Sequence, residues 1–156
     1  MESKYSSKNK AIVVDLDGTI ADNSHRTHYV EGHKKNWTDF FESIKHDSPI
    51  KENILLVLEY YQKDYEIIFL TGRFEKYQKL TTSWLDKYIS IDSYHLIQRK
   101  NHDFRSAETM KETALFTLNE KFHIELIIDD DDKILALGKR MGINSIDAKK
   151  KLKNEI

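Results

Sequence analysis

Three short segments of the sequence place carboxylates, a hydroxyl group and glycines directly after apolar runs. The first segment is Asp15-Leu16-Asp17-Gly18-Thr19. Two carboxylates two residues apart repel each other unless a cation lies between them or one of them is protonated. The pair therefore indicates either a magnesium site or an acid/base pair. A turn in which the Asp and Thr side chains bond to the backbone is the alternative.

The other two segments carry similar groups. Thr71-Gly72-Arg73 follows the apolar residues 67–70. The Thr71 hydroxyl group and the free backbone N–H groups at the start of a following helix would suit the binding of phosphoryl oxygens. The alternative is that Thr71 is only the N-cap of that helix. Asp129-Asp130-Asp131-Asp132 follows the apolar residues 126–128. Adjacent acids raise one another's pKa values or require a metal ion, and a solvated charge run is the alternative.

The elements that must position these groups follow from hydrophobic periodicity. Short apolar runs bounded by polar residues predict buried strands at 11–14, 67–70, 94–97 and 126–128, with a short final strand at 143–146. Apolar residues at helical spacing predict helices at 54–61, 77–88, 110–122 and 134–141, and Gly142 is expected to cap the last one. This alternation predicts an α/β fold with a Rossmann-like, open, mostly parallel sheet flanked by helices. Ligands bind beyond the carboxyl ends of such strands, where the three segments lie.

One stretch interrupts the alternation. Residues 20–50 contain His25, Arg26, His28 and several aromatic residues between the first strand and the first clear helix. We interpret this stretch as a small, mostly helical insertion, or cap, over the site. Residues 1–156, including this insertion, are expected to form a single domain. Its ends, at 1–9 and from Lys149 onward, are expected to be flexible.

Composition limits the class of protein. The 156 residues include no cysteine, and 25 Lys and Arg balance 26 Asp and Glu to a formal charge of −1. This balance gives no global electrostatic case for nucleic acid or an anionic membrane, so any such binding needs a local patch. The sequence has no apolar stretch near the roughly 20 residues that a membrane-spanning helix needs, and its first ten residues are polar. We expect a cytoplasmic protein without membrane association or an evident obligate protein partner.

The three segments, in this order, resemble the conserved motifs of the haloacid dehalogenase (HAD) superfamily of phosphatases. The first motif of that family matches Asp15-Leu16-Asp17-Gly18-Thr19, the second matches Thr71, and the fourth matches Asp129-Asp130. The resemblance covers residues 11–147. It implies a Mg²⁺-dependent phosphomonoester hydrolase that acts through an aspartyl-phosphate.

The same resemblance implies a role for each motif residue. Asp15 is expected to be the nucleophile, Asp17 the general acid and then the general base, and Thr71 a hydrogen-bond donor to the phosphoryl group. Mg²⁺ is expected to bind Asp15, the backbone carbonyl of Asp17 and Asp129, with Asp130 orienting a metal-bound water or serving as a ligand itself. The third motif is a lysine that neutralises phosphoryl charge. Lys111 is the first choice for it and Lys100 is the rival.

Further details resemble the 3′-phosphatase domain of polynucleotide kinase-phosphatases. These are Arg26, eleven residues after Asp15, the sequence Leu70-Thr71-Gly72-Arg73, and the pair Gln98-Arg99. They imply removal of 3′-phosphates from polynucleotide ends, with a phosphorylated nucleic-acid end or nucleotide as the binding partner. The expected substrate-binding residues are Gly18, Thr19, Arg26, Gly72, Arg73 and Arg99. For Arg73 and Arg99 a structural ion pair is an equal alternative. These 156 residues contain no G-x-x-x-x-G-K-[ST] loop and hence no P-loop kinase site.

Other functions remain open from the sequence. A phosphatase for 5′ or 3′ mononucleotides, or for another small molecule, would use the same motifs. Receiver domains of two-component signalling also combine acids, a Thr and a Lys on a parallel sheet, but the acid at Asp17 supplies an acid/base group that a long-lived phosphoprotein lacks. A catalytically silent binding module is a further alternative, and the intact acids argue against it.

Overall fold

A computed structural model describes residues 8–149 of the chain. Its strands are β1 (Lys10–Val14), β2 (Ala21–Asp22), β3 (Ser48–Pro49), β4 (Glu66–Phe74), β5 (His95–Arg99), β6 (His123–Asp129) and β7 (Asn144–Asp147). Its α-helices are α1 (Trp37–Glu42), α2 (Lys51–Gln62), α3 (Gln78–Tyr88), α4 (Ala107–Lys121) and α5 (Asp132–Arg140). Five strands form one sheet in the order β5-β4-β1-β6-β7. All four strand pairs in that sheet are parallel, so the predicted α/β fold is confirmed.

The central strand β1 is buried on both faces because helices cover both sides of the sheet. Ile12 and Val14 belong to one apolar cluster, which includes residues of α2 and α3. Ala11 and Val13 belong to a second cluster, which includes residues of α4 and α5. A strand with apolar neighbours on both faces has no polar alternation, and this explains the continuous apolar runs in the sequence.

The sheet order places the three chemical segments side by side. β1 lies between β4 and β6, so Asp15, which follows β1, lies near the carboxyl ends of both neighbouring strands. The backbone N–H of Asp15 donates to the carbonyl of Ile128 at 2.9 Å. The segments with Thr71 and Asp129 therefore flank the segment with Asp15 at one edge of the sheet, as expected for ligand sites in open α/β folds.

The end of β4 differs from the prediction. The apolar run predicts a strand that ends near residue 70 and a helix start after Thr71, but β4 continues to Phe74. It regains pairing with β5 at Phe74 and Arg99 after an irregularity beyond Leu70. A 3₁₀ turn at Glu75–Tyr77 follows, and α3 begins only at Gln78. Thr71 is therefore not a helix N-cap, and no helix N-terminus directly follows it.

The insert, residues 20–50, connects β1 to α2. It contains the small antiparallel pair β2 and β3, a 3₁₀ helix at Ser24–Val30, α1, and a second 3₁₀ turn at Ser43–His46. Phe41 and Ile44 of the insert pack with Tyr77 in a buried cluster of their own. Trp84 of α3 donates from Nε1 to the carbonyl of Asp47 at 2.9 Å. These contacts attach the insert to the segment that follows β4.

Residues at both ends of the described range contact the rest of the fold. The expected flexibility of residues 1–9 and of the tail falls outside the described residues, except at Lys8, Asn9 and Lys149. The carbonyl of Asn9 accepts from the N–H of His123 at 2.9 Å, and Lys149 pairs with Asp147 and Asp132. No helix within residues 8–149 is long and apolar enough to cross a membrane.

Candidate active site

A buried lysine joins two aspartates at the carboxyl edge of the sheet. Lys111 reaches in from α4, and its Nζ lies 2.9 Å from Asp15 Oδ1 and 2.8 Å from Asp129 Oδ2. All three side chains are buried. Burial disfavours the charged ammonium group, but the charges of Asp15 and Asp129 outweigh this effect and raise the pKa of Lys111 above its ordinary value. Lys111 is therefore a fixed positive charge next to Asp15. Lys100, the rival, is exposed and pairs with Glu75.

Three carboxylates converge at the same place. Asp15, Asp129 and Asp130 each offer an oxygen within 4.8 Å of the others. Burial, with the nearby charges of Asp129 and Asp130, raises the pKa of Asp15 well above its ordinary value even though Lys111 acts in the opposite direction. Burial also raises the pKa of Asp130. Oxygen ligands crowded in this way suit a hard divalent cation, which would relieve their repulsion.

The turn after β1 leaves space for this cluster. Gly18 has a φ of +81°, and a β-carbon there would overlap Asp130 Oδ2. Thr19 is fully buried and donates from Oγ1 to Asp15 Oδ2 at 3.2 Å. The sequence places Gly18 and Thr19 among the substrate-binding residues. The geometry instead has Gly18 making room for Asp130 and Thr19 bonding to Asp15.

Asp17 points away from this cluster and toward two arginines. Its Oδ1 accepts from Arg73 Nη2 at 2.6 Å and from Arg26 Nη2 at 2.7 Å. Burial alone would raise the pKa of Asp17, but the charge and hydrogen bonds of Arg73 and the charge of Arg26 outweigh it and lower the pKa. Strand alternation would aim Asp15 and Asp17 the same way only if β1 continued. Because β1 ends at Val14, the two carboxylates have different partners.

A fifth acid, Asp47, pairs with the same two arginines, and sequence reasoning missed it. Its carboxylate is fully buried in the insert and accepts from Arg26 Nε at 2.8 Å and Arg73 Nη2 at 3.2 Å. His25 Nε2 lies 2.7 Å from the same carboxylate. Two buried arginines facing a single aspartate leave an excess positive charge, so a second acid was to be expected. Nothing in the local sequence distinguishes Asp47 from a surface acid.

Arg26 and Arg73 are therefore both internal. The side chain of Arg26 is fully buried and also donates to the carbonyl of Phe40 at 3.3 Å. Arg73 is buried too and donates from Nη1 to Thr81 Oγ1 at 3.2 Å. The structure places both guanidinium groups in ion pairs with Asp17 and Asp47. The side chain of Arg26 has no exposed surface in this structure, and its expected contact with substrate stays a prediction.

The remaining predicted residues lie around β4. Thr71 is buried, and its Oγ1 accepts from the N–H of Arg73 at 3.1 Å. Arg99 donates from Nε to the carbonyl of Gly72 at 3.0 Å. Its Nη1 donates to the carbonyls of Asp103 at 3.1 Å and Arg105 at 2.6 Å. Arg99 thus bonds to backbone carbonyls that surround the end of β4.

The last two acids of the run 129–132 have structural partners. Asp131 caps α5, since its Oδ1 accepts from the N–H of Lys133 at 2.9 Å. Asp132 pairs with Lys149. Neither belongs to the carboxylate cluster found among residues 8–149. The backbone N–H of Asp131 donates to Asp129 Oδ1 at 2.9 Å and fixes that carboxylate.

Comparison with known protein sequences identifies a family and a viral relative. The model of the HAD family described as the polynucleotide kinase PNKP phosphatase domain matches residues 9–151. A protein of Autographa californica nuclear polyhedrosis virus, provisionally named a bifunctional polynucleotide kinase/RNA ligase, is 24% identical over 141 residues. Those residues are 88% of this chain and only 19% of the viral protein.

Solved structures share the fold. The structure of the Pnkp1/Rnl/Hen1 RNA repair complex contains a chain that superposes with a TM-score of 0.76 at 23% identity, covering 94% of this chain and 46% of that one. The class C acid phosphatase from Bacillus anthracis superposes with a TM-score of 0.66 at 20% identity, covering 81% and 53%. The present chain thus spans about half or less of these relatives. Since the family model covers nearly all of it, the chain belongs to the family of PNKP-type polynucleotide kinase phosphatase domains within the HAD superfamily, and it is a phosphatase.

Proposed function

We propose that this protein removes phosphate from 3′-phosphorylated nucleic-acid ends through a phosphorylated intermediate on Asp15, with Mg²⁺ as cofactor. The observation that carries the proposal is the contact of the buried Lys111 ammonium group with both Asp15 and Asp129, beside Asp130. A carboxylate that must attack an anionic phosphate needs positive charge at the point of attack. Lys111 supplies part of that charge. The membership of the chain in the PNKP phosphatase family supports the choice of a nucleic-acid end as substrate.

In the first step, an oxygen of Asp15 attacks phosphorus and forms an acyl-phosphate bond. The bond from phosphorus to the 3′-oxygen breaks, and its electron pair stays on the leaving oxygen. Thr19 bonds to one carboxylate oxygen of Asp15 and Lys111 to the other. These two contacts fix the direction in which the carboxylate presents its lone pairs. Thr71, buried at the adjacent end of β4, is assigned to the phosphoryl oxygens.

Asp17 is assigned to proton transfer in both steps. It donates a proton to the leaving 3′-oxygen and then removes one from the attacking water. In the second step water attacks phosphorus, the acyl-phosphate bond breaks, and inorganic phosphate leaves with Asp15 restored. Arg73 and Arg26 lower the pKa of Asp17 against the effect of burial, which suits the base role. An arriving phosphate dianion raises the same pKa and so favours the acid role.

The donor set fits Mg²⁺. The carboxylates of Asp15, Asp129 and Asp130 are hard oxygen ligands that converge on one point. Burial and the charge of Asp129 raise the pKa values of Asp15 and Asp130, which supports a cation at this place. When bound, the ion would supply charge neutralisation between the nucleophile and the phosphate. The side chain of Asp17 lies outside this set, so the only ligand that Asp17 could offer the ion is its backbone carbonyl oxygen.

The test is phosphate release from four substrates with added Mg²⁺. They are a 3′-phosphorylated oligonucleotide, the same oligonucleotide phosphorylated at the 5′ end, a 3′-mononucleotide and a 5′-mononucleotide. The highest kcat/KM is expected for the 3′-phosphorylated oligonucleotide, and EDTA is expected to abolish release. A preference for either mononucleotide would overturn the polynucleotide part of the proposal.

The matched variants are Asp15→Asn and Asp131→Asn. The first removes the proposed nucleophile at nearly constant volume and is expected to reduce turnover to background. The second removes an acid that directly follows the fourth-motif pair Asp129-Asp130, caps α5 and lies outside the carboxylate cluster. It is expected to keep turnover within about threefold. Unchanged turnover of Asp15→Asn would contradict the proposed chemistry.

A further inference from the structure

A groove lined by aromatic and cationic side chains opens beside the end of β4. It has a volume of about 620 Å³, and its lining includes Trp37, Phe74, Lys76, Arg99, Phe104 and Arg105. That volume is within the range of small-molecule binding sites. Gly72, which directly follows Thr71, is part of the wall. The groove therefore lies along the same segment of β4 that carries Thr71, the proposed phosphoryl-binding residue.

Two of the lining rings are exposed to an unusual degree. Trp37 is 50% exposed and Phe104 is 80% exposed. Within residues 8–149 only two other large hydrophobic side chains, Leu55 and Phe116, are comparably exposed, and neither lines the groove. Exposed aromatic rings that cluster at one opening mark a binding surface. Flat rings of this type stack on nucleobases in a manner that tolerates any base.

The exposed rings continue into a packed aromatic row. The ring of Phe41 lies 6.1 Å from that of Trp37 and 5.8 Å from that of Phe74, measured between centroids. The ring of Phe74 lies 6.2 Å from that of Phe104. The two exposed rings are therefore the ends of one row. Of its inner members, Phe41 belongs to the buried cluster with Ile44 and Tyr77, and Phe74 packs against that cluster.

The loop that carries Phe104 is held in place from within. Arg99 donates to the carbonyls of Asp103 and Arg105, the residues on either side of Phe104. Asn101 Oδ1 accepts from the N–H of Lys76 at 3.0 Å, which ties the same loop to the turn after β4. A ring presented by a fixed backbone binds with a smaller entropy cost than one on a loose loop. This gives Arg99 an indirect role in place of direct substrate contact.

The charge of the groove selects its occupant. Lys76, Arg99 and Arg105 are cationic, and none of the described residues that line the groove is acidic. The guanidinium group of Arg105 also pairs with Asp103, outside the lining, at 2.7 Å. Lys35 adds an ammonium group 6.0 Å from the ring of Trp37. Aromatic rings among cations match the bases and phosphodiesters of a single strand. The overall charge of −1 shows that this is a local feature.

We propose that this groove binds the unpaired nucleobases next to the 3′-phosphate, with Trp37 and Phe104 as stacking platforms and Lys76 and Arg105 near the sugar-phosphate backbone. The proposal rests on the proposed function, since it names the part of the substrate that lies beyond the phosphate. It specifies a single-stranded end. In a duplex the terminal base pair exposes only its outer face and the next base has both faces covered, so the two rings cannot both stack on bases near the 3′ end.

The test compares a 3′-phosphorylated single-stranded hexanucleotide with the same molecule lacking its last two bases. Trp37→Ala and Phe104→Ala are each expected to raise KM for the complete hexanucleotide by about tenfold or more, since stacking contributes about 1–3 kcal/mol per base. In the wild-type protein, removal of the bases is expected to raise KM similarly. With the hexanucleotide that lacks its last two bases, Trp37→Ala and Phe104→Ala are expected to raise KM little further, because that substrate has no bases at its 3′ end to stack on either ring. Phe116→Ala, an exposed aromatic outside the groove, is the matched control and is expected to change neither KM.

Each result has a separate meaning. If base-free and complete ends give the same KM, or if Trp37→Ala and Phe104→Ala behave like Phe116→Ala, the groove proposal is wrong while release from 3′-phosphorylated ends still supports the proposed function. The same conclusion holds if a recessed, base-paired end is as good a substrate as a single strand. If no nucleic-acid end is hydrolysed while a simple phosphomonoester is, the proposed function itself is wrong.

Discussion

Asp130 occupies the space that a side chain at position 18 would need. An ideal β-carbon on Gly18 would overlap Asp130 Oδ2, and the φ of Gly18 is +81°. The glycine of the first motif is thus tied to the second acid of the fourth motif by close contact across the site. Backbone conformation alone is not the reason for this glycine, since Gly32 and Gly142 share its positive φ and have open space around them.

Gly18→Ala is expected to reduce kcat/KM about 100-fold. The added methyl group must displace the carboxylate of Asp130, and displacement of a reacting or supporting group by about 1 Å costs on that order. Gly32→Ala is the control, because it adds the same strain at a φ of +80° with nothing within 4 Å. Both variants are expected to lose about 1–2 kcal/mol of stability from the backbone. Equal activity of the two variants in a phosphate-release assay would show that the overlap is relieved at no functional cost.

Lys111→Met is expected to destabilise the protein by about 3–5 kcal/mol when EDTA is present. It removes the ammonium group between Asp15 and Asp129 and leaves two buried carboxylates without their partner. Added Mg²⁺ is expected to restore part of this stability, whereas activity stays at least 100-fold below wild type. Urea unfolding with and without Mg²⁺ measures the first effect.

Lys100→Met serves as the control for this experiment. Lys100 is exposed and pairs with Glu75, so the substitution is expected to change stability by no more than about 0.5 kcal/mol. If Lys111→Met unfolds at the same urea concentration as Lys100→Met, the buried ion pairs do not stabilise the fold.

Asp47→Asn is expected to destabilise the fold and to lower kcat with little change in KM. The buried guanidinium groups of Arg26 and Arg73 would then share Asp17 as their only carboxylate in this cluster. Their excess charge would lower the pKa of Asp17 further and hinder proton donation to the leaving oxygen. Asp39→Asn, an exposed acid in the same insert, is the control and is expected to leave both quantities unchanged.

A double-mutant cycle separates charge balance from simple loss of structure. Arg26→Met added to Asp47→Asn removes one positive charge along with the negative one. The double variant is therefore expected to be more stable than the sum of the two single effects, by about 1–3 kcal/mol. Additive effects would show that Asp47 and Arg26 act independently of each other.

Much of the fold was predictable because the sheet is covered on both faces. Strands such as β1 and β6 must then be apolar throughout, and an apolar run next to charged residues is easy to recognise. The acids at 15 and 129 follow such runs directly, so their convergence at one edge of a parallel sheet also follows from the sequence. The match of the PNKP phosphatase family model to residues 9–151 confirms the family that these motifs resemble.

The environment of Asp17 was not predictable in this way. Its partners Arg26 and Arg73 come from the insert and from β4. Both arginines also donate to Asp47, a residue without a distinguishing local pattern. Burial of a guanidinium group depends on tertiary packing around it, as in the stacking of Arg26 over the ring of Phe40 at 4.5 Å. The extension of β4 past Thr71 likewise depends on pairing with β5, which is a long-range contact.

Asp17→Asn is expected to separate the two chemical steps. The variant retains Asp15 and Lys111, so attack on phosphorus is still possible, whereas the group that activates water is lost. Turnover is expected to fall by about 10²–10⁴-fold, as is usual for loss of a general acid or base. With a phosphate ester whose leaving group needs no proton, such as p-nitrophenyl phosphate, a single burst of p-nitrophenol is expected, followed by slow release of phosphate. Rapid quench followed by acid precipitation would detect phosphate covalently bound to the protein. Asp15→Asn is the blank, and a burst in that variant, or steady turnover by Asp17→Asn at the wild-type rate, would contradict the assignment of these two aspartates.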